Sequence, residues 1–257
     1  MSICNFEKGQ EGRSSSNFEC KRYNTVSKTL ADNNESCYNS PIEEEDHMSF
    51  AGFSFVKGKI FMFSDSKGTI INDNGEKLED YDREPVKKGF FNGKIAITST
   101  GVASATYFDE NSVLHTQDIS EWLDSHIASY NDPAQLVCAL FLWLQQKKCV
   151  LVHPIYIYGV YKRKQQFADS IAIASAVLDS NQMEYKIYNI SQNIAYYSGD
   201  KNFLNYFNAH TDQLLIPNVD AIKRNIEDDV KEMDLHCASN GEYNSVGEEI
   251  VVEEIVL

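Results

Sequence analysis

The sequence predicts an α+β fold in which helices pack over antiparallel sheets. Two hairpins rich in aromatic and β-branched residues follow each other between residues 50 and 98. Helices and further strands come after them in clusters and not in strict alternation. The chain has 257 residues, of which 42% are hydrophobic and 12% aromatic, enough for a sizeable core in one large domain or two small ones.

Residues 1–47 differ from the remainder of the chain. They hold seven Ser and six Asn, few aliphatic residues, and a closing acidic run at 43–46. Such a segment buries too little apolar surface to offset its chain entropy, so an extended or disordered arm is expected. It is a removable leader, an interaction tail or upstream sequence that is not normally translated. Residues 48–257 are expected to form the folded domain.

The first hairpin joins residues 50–56 to 59–64 through the turn Lys57-Gly58, and a polar loop follows it. The second joins residues 86–91 to 94–98 through Asn92-Gly93, and Asn-Gly is a strong short hairpin signal.

After the two hairpins, helices and further strands are predicted. Ser99-Thr100-Gly101 leads into a helical stretch, where Thr116 or Asp118 caps a helix carrying Trp122. The later predicted elements are a helix starting at Asn131-Asp132-Pro133, a strand at 150–160, a helix at 167–179, strands at 185–190 and 194–197, helices near 200–210 and 218–234, and a strand at 249–256.

Charge and cysteine spacing exclude several function classes. The 23 Lys+Arg against 38 Asp+Glu give a net charge of −15, which disfavours nucleic acid and anionic membranes as partners. No apolar run is long enough to span a membrane, and the N-terminus lacks the apolar core of a secretory signal. The six cysteines have no zinc-ligand spacing, so we expect reduced thiols, a cytoplasmic location, and neither metal nor cofactor.

Four stretches of the domain form an ordered set. The first is the strand–turn–strand of residues 52–66, which ends in Asp65-Ser66. The second comprises Val86-Lys87-Lys88 and the run 92–101. The third is Ile194–Asp200, and the fourth is the helix at 218–234 with residues 244–252. In this order they resemble the proteasome-type N-terminal nucleophile hydrolases, and the domain is similar to the β-subunits of that family over residues 49–257. The region around 150–185 departs from the family pattern, and the segment near 163–180 resembles an insertion without an assigned role.

The resemblance implies a four-layer αββα sandwich and a hydrolase whose base is the α-amine of its own first residue. A hydroxyl nucleophile needs a base within hydrogen-bond reach, and an α-amine with a pKa near 8 is suited to that role. It also implies an oxyanion site at the glycine N–H that opens the first helix. The implied site consists of Ser49 as nucleophile, Asp65, Lys87 (or Lys88), Gly101, Ser198 and Asp234. Cys237 stands where the family pattern has serine.

Two departures keep catalytic competence open. The nucleophile position holds serine and not threonine, and Met48 precedes it in place of glycine. With residues 1–48 attached, Ser49 has no free α-amine; a start at Met48 followed by removal of that residue would expose it. The alternatives are therefore a peptidase or amide hydrolase, an inactive ring or scaffold subunit of the same fold, and an unrelated α+β binding domain. The resemblance implies a homo-oligomer with a peptide or protein as substrate or partner.

Overall fold

The computed structural model describes residues 49–71, 77–79, 85–151, 153–164, 170–190, 193–247 and 249–257. The expected arm at 1–47, Met48 and most of the polar loop after the first hairpin lie outside these residues, as do Cys4, Cys20 and Cys37. Cys149 and Cys237 are free thiols, as the sequence predicts. No helix within the described ranges is long and apolar enough to cross a membrane.

The described strands are β1 (Phe50–Val56), β2 (Lys59–Asp65), β3 (Thr69–Ile71), β4 (Lys77–Glu79), β5 (Gly89–Phe91), β6 (Ile95–Gly101), β7 (Ser104–Phe108), β8 (Leu114–Asp118), β9 (Ile155–Arg163), β10 (Ser170–Leu178), β11 (Met183–Asn189), β12 (Ile194–Gly199) and β13 (Ile250–Ile255). The α-helices are α1 (Ile119–His126), α2 (Pro133–Lys147), α3 (Lys201–Phe207) and α4 (Val219–Asn240), and short 3₁₀ helices follow α1 and α3 at Ile127–Ser129 and Asn208–Leu215. The predicted α+β class is confirmed.

Two antiparallel sheets form the centre of the domain. The first has the strand order β12-β1-β2-β13, and the second has the order β11-β10-β9-β6-β5. The strands β3-β4 and β7-β8 form two further hairpins. The chain thus returns at its end to place β13 beside β2, with Ile250 opposite Asp65.

Three clusters of buried side chains define the layers. Phe53 and Phe55 of β1 lie between the sheets, against Val160 and Ile173 of the second sheet. The alternate residue Phe50 points to the other face of β1, where it packs on α3 and α4. A third cluster joins the second sheet to α1 and α2. Helices therefore cover the outer face of each sheet.

Aromatic rings dominate the cluster under α3. The Phe50 ring lies 5.0 Å from that of Phe203 and 4.8 Å from that of Phe207, in edge-on contacts. Such pairs contribute about 0.5–1.5 kcal/mol each beyond burial of their area. These contacts hold the start of β1 against α3.

The two predicted hairpins are confirmed, and their turns explain them. Lys57 and Gly58 both have positive φ, 50° and 77°, as a two-residue turn that matches strand twist requires. In the second hairpin the Asn92 carboxamide oxygen accepts the N–H groups of Lys94 and Ile95, both at 2.9 Å. Local side-chain chemistry is sufficient to close both turns.

The helix starts follow from capping residues. Asp118 accepts the N–H groups of Ser120 and Glu121 at the start of α1. Asp132 caps α2, with Pro133 at its first turn, as predicted. Asp200 caps α3 in the same manner.

Three parts of the sequence prediction are wrong. Residues 170–178 form β10 and not a helix, since this apolar run is a central strand paired on both sides. The β7-β8 hairpin lies between Gly101 and α1, where a helical stretch was predicted. The last helix continues to Asn240, and Gly241 with φ 70° ends it.

Candidate functional site

A buried ion pair lies at the end of the first hairpin. Lys88 Nζ donates to Asp65 Oδ1 at 2.8 Å, and the two side chains are 5% and 0% exposed. Lys88 Nζ also donates to the backbone carbonyl of Lys67 at 3.0 Å. A charge pair so fully removed from water is stable only when further hydrogen bonds support it.

Backbone N–H groups supply that support. Asp65 Oδ1 accepts the N–H of Phe50 at 2.7 Å, and Oδ2 accepts those of Lys67 at 3.2 Å and Gly247 at 3.3 Å. These donors come from the start of β1, the end of β2 and the loop before β13. The carboxylate therefore ties together three segments that are distant in sequence.

Ser49 lies immediately before Phe50, whose N–H is one of these donors. It is buried, 4% exposed, and its carbonyl accepts the N–H of Asp200 at 2.7 Å. Phe50 N–H and Lys88 Nζ share the acceptor Asp65 Oδ1, so a lysine ammonium lies close to the backbone of the residue that follows Ser49. A positive charge in so dry a place stabilises negative charge that develops nearby.

The preference for Lys87 over Lys88 is wrong. Lys87 Nζ points outward to Asp124 Oδ1 at 2.5 Å, and both side chains are more than half exposed. Residues 85–88 alternate between exposed and buried, which turns Lys88 inward and Lys87 to solvent. The alternative that the sequence left open, Lys88, is the lysine beside Asp65.

Ser198 joins the two sheets. Its hydroxyl lies 2.7 Å from that of Thr100, and both side chains are buried. Ser198 is opposite Ala51 in the pairing of β12 with β1, while Thr100 belongs to β6 of the second sheet. The structure thus brings Ser198 near the start of β1, with a partner that the sequence did not indicate.

Asp234 does not join this group. It is exposed on α4 and accepts the Asn244 side-chain N–H at 2.9 Å. Cys237, one turn further, is buried in the apolar cluster with Met233, and burial raises the pKa of its thiol. Both residues belong to α4, which continues six residues beyond its predicted end.

The acid and serine that do meet are Asp200 and Ser245. Ser245, fully buried, donates to Asp200 Oδ2 at 2.6 Å, while Asp200 Oδ1 caps α3. The backbone N–H of Asp200 donates to the Ser49 carbonyl. Sequence analysis missed this pair and the Gly247 N–H. The signal was the segment Asn244-Ser-Val-Gly itself, which was noted but given no role.

Gly101 ends β6 and does not open a helix. Its φ is +94°, and a Cβ there would lie 2.1 Å from the Pro154 carbonyl oxygen. The β7-β8 hairpin follows it directly, and α1 begins only at Ile119, after that hairpin has returned to pair Asp118 with Ser104. The predicted role of Gly101 at a helix start is wrong.

No group of three or more His, Cys, Asp or Glu in the described part of the chain has an arrangement that could hold a metal ion. The polar residues at the site are two hydrogen-bonded carboxylates, Asp65 and Asp200, one ammonium and several hydroxyls. This set is suited to proton transfer and charge stabilisation.

No protein-family model matches this chain, and no curated protein matches it either.

Proposed function

We propose that residues 49–257 form a proteasome-type N-terminal nucleophile hydrolase domain with a four-layer αββα arrangement. Ser49 is the nucleophile once residues 1–48 are removed, and the substrate is a peptide or protein amide. The observation that carries the proposal is the buried Asp65–Lys88 pair, hydrogen-bonded to the residue next to Ser49.

The chemistry follows from these groups. The freed α-amine of Ser49 takes the proton of its own hydroxyl, and the oxygen attacks the amide carbonyl. The proton passes to the leaving amine, which departs and leaves an ester on Ser49. Water then hydrolyses this ester, with the α-amine again as base. Lys88, held by Asp65, stabilises the negative charge of each tetrahedral intermediate, and no cofactor takes part.

Asp200 and Ser245 position the nucleophile in this proposal. The Asp200 N–H holds the Ser49 carbonyl, and Ser245 fixes the Asp200 carboxylate. Asp200 also caps the start of α3, and Ser245 is hydrogen-bonded to Asp200, so the backbone of Ser49 is held against the start of that helix. Positioning of this kind reduces the entropy lost on reaching the transition state.

A second candidate is an inactive ring or scaffold subunit of the same fold. Two observations favour it: Ser49 has no α-amine within the 257-residue chain, and a hairpin takes the place of the helix after Gly101. Such a subunit would assemble with copies of itself and act by binding partner proteins.

The test begins with the intact mass and N-terminal sequence of the purified protein, followed by treatment with a hydroxyl-directed electrophile. The hydrolase predicts a chain that begins at Ser49, a single adduct on that residue, and cleavage of fluorogenic peptides. Ser49→Ala is expected to abolish cleavage and adduct while the circular dichroism spectrum stays unchanged. Ser54→Ala is the matched control, because Ser54 is a fully buried serine of β1, the strand that Ser49 precedes.

The outcomes separate the two candidates. A chain that still begins before Ser49, forms no adduct and assembles into a defined ring would reject the hydrolase and support the scaffold. A processed chain whose activity survives Ser49→Ala would reject the assignment of the nucleophile.

A further inference from the structure

A groove of about 210 Å³ lies over the shared face of β2 and β13. Met62, Val86 and Val251 give it apolar walls, and residues 85–89 close its far side. A Cβ at Gly89 would lie 2.9 Å from the Met62 side chain, so the glycine allows β5 to approach the first sheet closely. Sites for drug-sized ligands have volumes of about 300–1,000 Å³, so this groove has the size for a single side chain.

The groove lies on the same face of the first sheet as Ser49. Ser64 of β2 is directly opposite Val251 of β13 on one side and a residue of β1 on the other, so these side chains share one face. Two residues further on, the next row of that face consists of Ser49, Ser66 and Glu249. Ser66 Oγ accepts the Glu249 N–H at 3.1 Å, which continues the row across β2. Two strand spacings place Glu249 about 10 Å from Ser49.

The groove is negatively charged. Glu249 and Glu253 line it, and both are exposed and form no ion pair with any residue of the described ranges. Lys87 and Lys88, its two basic residues, are each already paired with an aspartate. A cation is therefore attracted to the groove and a carboxylate is repelled from it.

A buried hydroxyl also opens into the groove. Ser64 lines it, is 5% exposed, and forms no hydrogen bond with any residue that the structure describes. Buried polar groups normally have a hydrogen-bond partner, and an N–H donor from a ligand would supply one. Two carboxylates and one hydroxyl beside apolar walls form a set that accepts N–H groups from a cation with an apolar stem.

We propose that this groove is a subsite for one basic side chain, lysine or arginine, of the peptide substrate. The stem of such a side chain packs on Val86 and Val251, while its cation stays near Glu249 and Glu253. An extended peptide advances about 3.3 Å per residue, so 10 Å from Ser49 corresponds to about three residues from the cleaved amide. The identity of the ligand as substrate rests on the proposed hydrolase function, whereas the preference for a cation rests on the groove alone.

Peptide binding to the full chain tests the groove separately from catalysis. The protein carries Ser49→Ala, which removes the proposed nucleophile. The probes are acetylated and amidated undecapeptides of alanine and leucine that bear a neutral dye and differ only at the central residue, which is lysine, norleucine or glutamate. The lysine peptide is expected to bind about tenfold more tightly than the norleucine peptide in fluorescence anisotropy, and the glutamate peptide more weakly. Salt should reduce the preference for lysine.

A pair of double variants locates the preference. Glu249→Gln with Glu253→Gln is expected to reduce it to about twofold or less. The matched control, Glu242→Gln with Glu254→Gln, removes two exposed carboxylates outside the groove and is expected to keep the preference. Both double variants change the net charge equally, so a general attraction of cations to an acidic protein would affect them equally. Equal loss in the two double variants, or equal binding of the lysine and norleucine peptides before mutation, overturns the subsite.

Cleavage of the same peptides by the protein with Ser49 intact, followed by mass spectrometry, separates this inference from the proposed function. Cleavage about three residues from the lysine, with a kcat/KM advantage over norleucine of about tenfold that Glu249→Gln with Glu253→Gln removes, supports both. Equal kcat/KM for the lysine and norleucine peptides rejects the subsite alone. An intact binding preference without cleavage of any peptide rejects the hydrolase and retains the groove as a site for a basic side chain.

Discussion

The buried ion pair makes a quantitative prediction about two adjacent lysines. Lys88→Met removes the ammonium from Asp65 and leaves a carboxylate that is fully buried. Breaking such a pair costs about 3–5 kcal/mol of unfolding free energy. We expect the lower end, about 3 kcal/mol, because three backbone N–H groups still bind the Asp65 carboxylate.

Lys87→Met is the matched control, since it removes the same charge one residue away. The Lys87–Asp124 pair is exposed on both sides, so its loss is expected to cost under about 0.5 kcal/mol. Salt should weaken only the effect of this exposed pair.

The measurement is urea unfolding at pH 7, followed by circular dichroism and tryptophan fluorescence, at low and high salt. Equal costs for the two variants would refute the assignment of Lys88 to the interior. So would a Lys88→Met cost below about 1 kcal/mol, because the carboxylate would then have found water.

Three further predictions concern the fold. Gly101→Ala is expected to lower the free energy of unfolding by about 3 kcal/mol, and Gly93→Ala by about 1 kcal/mol. Both glycines have positive φ, but only at Gly101 would an added Cβ meet backbone atoms at contact distance. Equal losses in urea unfolding would contradict this prediction. The hydrogen bond to Glu232 raises the pKa of Tyr206 to about 12, so stability that is present below pH 10 is lost as pH rises from about 10 to 12. Tyr206→Phe should reduce the loss of unfolding free energy between about pH 10 and 12. An unchanged pH dependence in that variant would contradict the assignment to Tyr206. Cys149 is buried, and burial also raises the pKa of its thiol, so alkylation should need unfolding, and rapid labelling of the native protein would disprove this.

The sequence predicted correctly the elements whose geometry is set by residues a few positions apart. The turns Lys57-Gly58 and Asn92-Gly93 and the cap before Pro133 each act within a few residues. Their hairpins and helix were therefore predicted correctly. The strand β10 was not, because an alanine-rich apolar run suits a buried helix and a central strand equally well.

The β7-β8 hairpin was missed for a related reason. Its turn contains Ser112 at φ 59° in place of glycine, and a serine in that conformation has little sequence signal. The strands themselves are short, and β8 is largely exposed, so no clear alternation of apolar residues indicates them.

Tertiary packing determines the rest of the candidate site. The family resemblance placed Asp65 at the site, and in the structure it lies at the end of the first hairpin with Lys88 bound to it. The choice between Lys87 and Lys88 depends on which side of an irregular segment faces inward, and spacing along the chain does not determine that. The contact of Ser245 with Asp200 spans 45 residues and depends on where α4 ends.

The position of β13 beside β2 has a consequence for biosynthesis. The pairing and the Gly247 N–H to Asp65 contact join residues more than 180 positions apart. Loop-closure entropy makes such contacts late events in folding. On a ribosome, the first hairpin is made early, yet its second strand keeps an open edge and its carboxylate lacks a donor until the C-terminal residues emerge. A nascent chain is therefore exposed to wrong strand pairing for most of its synthesis, and truncation before residue 247 would leave the Asp65 carboxylate without one of its three backbone donors.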